Sequence, residues 1–242
     1  MRGGSLVVTG VTKRFNGRSV LDELGLNIDA GAATVLFGAS GCGKSTLLRL
    51  IAGFDAPDSG TITVGDAEVS SPGRIVPPWL RNVGMLFQGD ALWPHLTIAE
   101  QVRMVAEAAP NRLPEERIRE FGDRLEISSL WNRFPGDLSG GEARRAALIR
   151  TLAAIPALLL LDEPFAHLDE TSQHLVADVI RDWHAATGAT LLIVSHESSL
   201  VSSMCRLRLD AGRIRPQANF SYSSQKEHDT LPVYSHTRCR SC

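Results

Sequence analysis

Apolar and polar positions along the chain follow two periods, one typical of strands and one typical of helices. Short apolar runs predict strands at residues 5–11, 20–28, 34–37, 61–64, 82–87, 157–161 and 190–194. Helical periods are found at residues 44–52, 97–109, 114–125, 139–154 and 170–187. Strands that alternate with helices in this way predict an α/β domain.

The middle of the chain lacks strand signals, from about residue 89 to residue 155. Two of its three predicted helices begin with a capping box, formed by Thr97 with Glu100 and by Ser139 with Glu142. We therefore expect a helical lobe inserted into an α/β domain that spans residues 1–215. Residues 216–242 are serine-rich and have little to bury, so we expect a disordered tail there.

Composition and charge exclude several classes of protein. The 242 residues are 43% apolar and 21% charged, and the net charge of −2 offers no basic field for nucleic acid. Neither a secretory signal nor an apolar run long enough to span a bilayer is visible. Four cysteines are too few for a disulfide scaffold, which favours a reducing cytosol. Cys239 and Cys242 have the spacing of half a zinc site, but we expect a solvated tail.

A glycine-rich loop follows the predicted strand 34–37 and precedes the predicted helix 44–52. Its eight residues match the pattern G-x-x-x-x-G-K-[ST] and are Gly38, Ala39, Ser40, Gly41, Cys42, Gly43, Lys44 and Ser45. Such a loop points backbone N–H groups at phosphate oxygens, and the helix N-terminus favours negative charge. We expect Lys44 to reach the β- and γ-phosphates and the Ser45 hydroxyl to bind Mg²⁺, with Thr46 next to it in the nucleotide site.

Two carboxylates, Asp162 and Glu163, follow the all-leucine run 158–161. The end of a buried strand is where an open α/β sheet binds its ligands. Asp162 is predicted to hold Mg²⁺, directly or through water. Glu163 lies one residue further on and is predicted to take a proton from a water molecule that attacks the γ-phosphate.

A second glycine-containing helix start narrows the class of protein. Residues Leu138, Ser139, Gly140, Gly141 and Glu142 resemble the signature motif of the ABC (ATP-binding cassette) family, which usually has Gln where this chain has Glu142. In that family the signature of one copy closes on the ATP held by the other copy. The resemblance therefore implies that Ser139, Gly140 and Gly141 bind the nucleotide of a partner chain.

The other motifs of the family follow in order along residues 5–215. Gln88 resembles the glutamine that links the metal and the attacking water to the helical lobe. His196 resembles the histidine that contacts the γ-phosphate, and Phe15 lies where the family has an aromatic residue that stacks on adenine. Ala166 stands where the family usually has Ser, and Phe15 where it more often has Tyr.

The resemblance implies the fold, the cofactors, the partners and the location of the protein. The fold would be a P-loop NTPase core of the ABC type, with an antiparallel β subdomain and an inserted helical subdomain. The chain would bind ATP and Mg²⁺, pair head to tail with a second copy of itself and dock on transmembrane permease subunits. Glu163, His196, Gln88 and Lys44 would carry catalysis, and the protein would lie peripherally on the cytoplasmic face of the cell membrane.

The segments 84–88 and 91–97 resemble the importer branch, whose members serve iron, polyamines, sugars and inorganic anions. An importer would also depend indirectly on a substrate-binding protein. Two alternatives stay open: an exporter or lipid-extracting ATPase, and an ABC ATPase without a transport role. The second usually has a coiled-coil insertion or two fused cassettes, and neither is visible here. The transported substrate is not encoded in these motifs.

Overall fold

The computed structural model describes residues 3–196, 200–201, 204–216 and 238–239. The strands in chain order are β1 (Leu6–Phe15), β2 (Arg18–Ile28), β3 (Ala33–Phe37), β4 (Ser59–Val64), β5 (Ala67–Ser71), β6 (Arg74–Ile75), β7 (Val83–Leu86), β8 (Leu158–Asp162), β9 (Thr190–Val194), β10 (Cys205–Asp210), β11 (Arg213–Pro216) and β12 (Arg238–Cys239). The helices are α1 (Lys44–Ala52), α2 (Ile98–Ala108), α3 (Glu115–Arg124), α4 (Gly140–Leu152) and α5 (Glu170–Thr187).

Two six-stranded sheets form the body of the protein. One has the order β11-β10-β3-β9-β8-β7, in which all strands run parallel except the edge strand β11. The other has the order β12-β2-β1-β4-β5-β6, in which every pair is antiparallel except β12 with β2. The predicted α/β class is therefore confirmed, with the antiparallel sheet as the β subdomain that the resemblance implied.

The parallel sheet is buried on both faces, which explains why β8 is continuously apolar. Successive side chains of a strand point to opposite faces. Leu159 and Leu161 pack in one apolar cluster with α4 and α5, whereas Leu158 and Leu160 pack in the other with α1 and the antiparallel sheet. All four leucines are fully buried, so β8 is packed on both faces.

Several predicted bounds differ from those of the structure. The strand predicted at 5–11 continues to Phe15 through irregular register with β2, and the strand predicted at 82–87 is limited to Val83–Leu86. The short strands β5, β6, β10 and β11 were not predicted. β10 nevertheless alternates arginine with buried leucine at positions 206–209, a period-two signal from which it could have been found.

The predicted helical segment 89–155 contains α2, α3 and α4, and an antiparallel bridge joins Arg112, between α2 and α3, to Ala154, which follows α4. Within the described residues, no helix combines the length and apolarity that a bilayer crossing requires. Of the predicted tail, only Pro216 and the pair Arg238–Cys239 are described, and that pair lies beside β2. The rest of the tail prediction lies outside the described residues. Cys205 is disulfide-bonded, which the sequence did not indicate.

Candidate functional site

The predicted site residues follow the carboxyl ends of neighbouring parallel strands. The glycine-rich loop follows β3, His196 comes shortly after β9, and Glu163 follows β8 directly. Gln88 lies two residues beyond the end of β7. Because these strands are parallel and adjacent, all four motifs meet at one edge of the sheet, as ligand sites in open α/β sheets do.

The glycine-rich loop forms one side of the site. Gly41 and Gly43 have φ angles of 76° and 107°, in the left-handed region that favours glycine. A Cβ atom at Gly43 would lie 2.8 Å from Leu21 Cδ2 and 3.0 Å from the Val20 carbonyl oxygen. Helix α1 begins there with no side-chain cap and no acidic residue in its first turn. Its N-terminal N–H groups are therefore suited to an anion.

Lys44 is 6% exposed and lies inside this loop. Its ammonium donates hydrogen bonds to the carbonyl oxygens of Gly38 at 2.8 Å and of Ala39 at 3.1 Å. The loop apex, Ala39 to Gly41, is exposed. An incoming phosphate could therefore replace the carbonyl partners of Lys44 without a rearrangement of the core.

Asp162 ends β8 and is 3% exposed. It accepts a hydrogen bond from the Ser45 hydroxyl, while its Oδ1 has no hydrogen-bond partner among the described residues. Burial raises the pKa of Asp162, and the Ser45 hydrogen bond and the charges of Arg144 and Lys44 oppose that rise. A hydroxyl beside an unsatisfied carboxylate oxygen fits Mg²⁺, which combines one or two carboxylates with substrate phosphates.

Glu163 and His196 contact each other across the ends of β8 and β9. Glu163 Oε1 lies 3.1 Å from His196 Nε2, and Glu163 Oε2 accepts a hydrogen bond of 3.2 Å from the His196 backbone N–H. Burial raises the pKa of Glu163, with a smaller contribution from Asp162, while His196 and Lys44 act in the opposite direction. Its side chain is 15% exposed, against 54% for His196. The carboxylate is thus fixed in place but still reachable by water.

The signature residues lie at the start of α4. Ser139 is the N-cap, its hydroxyl donates to the Glu142 carboxylate at 2.7 Å, and the same carboxylate accepts the Ser139 backbone N–H at 2.8 Å. Ser139 and Gly140 are exposed. A Cβ atom at Gly141 would lie 3.5 Å from the His167 carbonyl oxygen, so α4 begins against the loop that follows Glu163.

Phe15 and Gln88 are at the surface. Phe15 ends β1, is 46% exposed and lies 5.4 Å from Lys13 Nζ, measured to the ring centroid. The Gln88 side chain is exposed, and its carbonyl oxygen accepts from Arg144 Nη1 at 3.3 Å. Thr46 is partly buried in α1.

Among the described residues, three buried arginines were not predicted: Arg81, Arg144 and Arg150. A signal existed for two of them. On the predicted helix 139–154, Arg144 lies four positions before Leu148 and Arg150 lies three positions after Ala147, so each shares a helix face with an apolar residue. A charged side chain on a buried helix surface needs hydrogen-bond or charge partners. The sequence does not identify which residues provide them.

The fold and the glycine-rich loop define a P-loop NTPase type of α/β protein. Residues 21–166, more than half of the chain, match the family described as ABC transporter. The chain therefore belongs to the ABC transporter family, which confirms the resemblance found in the sequence.

Similar curated proteins include two bacterial import subunits. The spermidine/putrescine import ATP-binding protein PotA of Nitrosospira multiformis is 38% identical over 79% of this chain and 52% of its own length. The sulfate/thiosulfate import ATP-binding protein CysA 1 of Agrobacterium fabrum is 36% identical over 93% of this chain and 70% of its own length. The chain thus spans about half of the first relative and more of the second.

Among solved structures, a dimeric ATP-binding cassette in a post-hydrolysis state, bound to ADP and Pi, is similar over 90% of this chain and all of its own. The TM-score is 0.77 and the sequence identity is 25%.

Proposed function

We propose that the chain binds and hydrolyses ATP and so powers import across a membrane through partner permease subunits. The observation that carries this proposal is the convergence of the phosphate loop, the Ser45–Asp162 pair and the Glu163–His196 pair at one sheet edge. The import direction is supported by the relatives, whose names describe import ATP-binding proteins for polyamines and for sulfate or thiosulfate. The substrate of this chain is not assigned.

The residues of this site divide the chemistry between them. The N–H groups of residues 38–45 and the ammonium of Lys44 hold the phosphates, and Phe15 stacks on adenine. Ser45, Asp162 and Gln88 would hold Mg²⁺. That ion neutralises charge on the phosphates when it is bound. Glu163 accepts the proton of the attacking water, and His196 keeps the Glu163 carboxylate in position.

The assembly that we propose is a head-to-tail pair of copies. Ser139, Gly140 and Gly141 of each copy contact the nucleotide held by the other copy, and the dimeric cassette bound to ADP and Pi supports such a pair. Closure of the pair moves the permease subunits, which dock near residues 88–97. The chain would lie on the cytoplasmic face of the membrane, and a substrate-binding protein would deliver the cargo from the other side.

The test of hydrolysis is the variant Glu163→Gln. The amide keeps the shape of the side chain but cannot accept the water proton, so ATP binding should persist while turnover falls by about 10²–10⁴-fold. Turnover is measured with Mg·ATP by phosphate release, and binding with a fluorescent ATP analogue.

Glu68→Gln is the matched control, because Glu68 is an exposed carboxylate on β5, in the antiparallel sheet. It should hydrolyse ATP like the wild type. Turnover of Glu163→Gln within a few-fold of wild type would remove Glu163 from the role of base.

A further inference from the structure

Arg144 is a buried cation that the proposed mechanism does not use. It lies on α4 and is 1% exposed. Its Nη1 donates to the carbonyl oxygens of Phe87 at 2.6 Å and Gln88 at 3.3 Å, and to Asp90 Oδ1 at 3.4 Å. Its Nη2 donates to the carbonyl oxygens of Asp162 at 2.5 Å and Glu163 at 2.7 Å.

These acceptors belong to two neighbouring strand ends. Phe87 and Gln88 follow β7, Asp162 is the last residue of β8 and Glu163 follows it, and β7 and β8 pair in parallel from Val83 with Leu158 to Leu86 with Leu161. A single guanidinium therefore joins the backbone at Gln88 to the backbone of the predicted metal ligand Asp162 and of the predicted base Glu163. The helix that supplies it begins with the signature residues.

The chemistry of the contacts requires arginine. Burial lowers the pKa of Arg144 and makes its charge costly, and the oxygen atoms around it offset that cost. A guanidinium has five N–H donors in a rigid fork, which can serve two separate groups of carbonyls at once. A lysine ammonium has three donors at one point and cannot span both strand ends.

Arg150, six residues further along α4, provides a natural comparison. It is 7% exposed, donates to the carbonyl oxygens of Ala91 at 2.7 Å and Asp90 at 3.3 Å, and lies 5.0 Å from the centroid of Trp93. Its described contacts join α4 to the segment after β7 and to Gln101 on α2, and include none with the end of β8. The two arginines thus share a helix, a depth of burial and one partner segment, and differ in the contact with Asp162 and Glu163.

We propose that Arg144 is a positioning residue for ATP hydrolysis: it couples the signature helix and the Gln88 backbone to Glu163, so that the three shift together. A displacement of α4 at the signature is then transmitted to the carboxylate that activates water. Arg144 does not touch the reacting atoms. The inference rests on the proposed role of Glu163, and two experiments separate the two ideas.

The first experiment is independent of activity. Amide hydrogen exchange is measured on the full chain for wild type, Arg144→Lys and Arg150→Lys, in peptides that cover residues 83–93 and 158–166. Arg144→Lys should speed exchange at both strand ends, whereas Arg150→Lys should speed it only in the first peptide. Wild-type exchange at residues 158–166 in Arg144→Lys would overturn the proposal.

The second experiment separates binding from turnover. Misplacement of a catalytic group by about 1 Å costs roughly 10²-fold in rate. We therefore expect Arg144→Lys and Arg144→Gln to lower kcat at least about 10-fold, with the KM for ATP within about 3-fold of wild type. Arg150→Lys should keep kcat within about 3-fold of wild type. Equal kcat in the Arg144 and Arg150 variants would contradict the proposal.

A double-mutant cycle tests the route through Glu163. If Arg144 acts by placing that carboxylate, Arg144→Lys should lower the residual rate of Glu163→Gln by less than about 3-fold. Multiplicative losses would show that Arg144 acts elsewhere. If Glu163→Gln alone turned over ATP at the wild-type rate, Glu163 would not be the general base. The hydrogen-exchange and kcat results for Arg144 would still show whether Arg144 couples the two strand ends.

The melting temperature of each variant is measured with and without ATP to show whether the variant is folded. If both Arg144→Lys and Arg144→Gln fail to fold, the guanidinium is a requirement of folding and the positioning role is overturned.

Discussion

Glu163 has a backbone conformation that its residue type seldom adopts. Its φ angle is 49°, and His167, four residues later, has a φ angle of 63°. Such left-handed conformations in residues other than glycine are uncommon and concentrate at functional sites. The Glu163 N–H donates to the Val194 carbonyl and its own carbonyl accepts from Ala166 and Arg144. The surroundings therefore impose the conformation that aims the carboxylate at His196.

Cys42 supports a prediction at the same scale. It is a free, partly buried thiol in the phosphate loop, and a Cβ atom built on Gly38 would lie 2.6 Å from its Sγ. Attachment of an alkyl group there should push Gly38 and Lys44 out of place, so alkylation should abolish ATP hydrolysis. Bound Mg·ATP should slow the loss, which is measured as residual turnover against time of exposure to N-ethylmaleimide.

The alternative is that the thiol is too buried to react. Cys42→Ala distinguishes the two, since it should be active and resistant to the reagent. Inactivation of Cys42→Ala at the wild-type rate would place the sensitive thiol elsewhere in the chain.

At the scale of elements, the phosphate-loop helix is fastened at both ends. Its first turn is formed by the loop itself, and its last turn is bound by Arg81, which donates to the carbonyl oxygens of Leu50 at 3.0 Å and Ile51 at 2.8 Å. Arg81 also donates to the Val69 carbonyl oxygen and the Ser70 hydroxyl on β5. It thus joins α1 to the antiparallel sheet, and burial lowers its pKa to about 10.

Arg81→Met should therefore destabilise the fold. The side chain is 3% exposed, and its loss leaves several carbonyl groups in the interior without donors. We expect a loss of about 1–3 kcal/mol or more in the free energy of unfolding, measured by urea titration, since this is the cost of one buried acceptor left unsatisfied.

Arg49→Met is the matched control on the same helix. Arg49 forms an exposed ion pair with Asp55 at 2.7 Å, and exposed pairs contribute about 1 kcal/mol or less. Equal losses in the two variants would show that burial of Arg81 contributes nothing particular to stability.

At the scale of the whole molecule, the exposed signature residues predict a site completed by a second copy. The described hydrogen bonds of the Ser139 side chain lie within its own capping box, and Ser139 and Gly140 are exposed, so a partner chain can reach the start of α4. One chain with Lys44→Ala is mixed with another with Ser139→Arg. In the mixed dimer one shared site carries both changes and the other carries neither, so partial ATP hydrolysis should return.

The control for this mixture is Lys44→Ala combined with the double variant Lys44→Ala/Ser139→Arg, in which every site is damaged and no activity should return. If the original mixture also stays inactive, then either the site is not shared or both sites must work together. A structure of the nucleotide-bound dimer would separate these two outcomes.

The candidate site residues could be predicted from the sequence because they lie in local patterns. The phosphate loop, the carboxylates at the end of β8 and the two capping boxes each occupy a few consecutive residues. The run of four leucines in β8 also predicted a strand that is buried on both faces. These features follow from residue type and period, and they do not depend on which strands become neighbours.

The tertiary structure alone decided which of these patterns meet. Strand order places β8 between β7 and β9 and so brings Glu163 to His196, 33 residues further along the chain. It also brings the end of β7 beside the end of β8, where Arg144 can reach both over 57 and 19 residues. The partners of a buried charge are backbone carbonyls, which every residue has. No sequence pattern can therefore mark them, and only the packing of the helix against the sheet selects them.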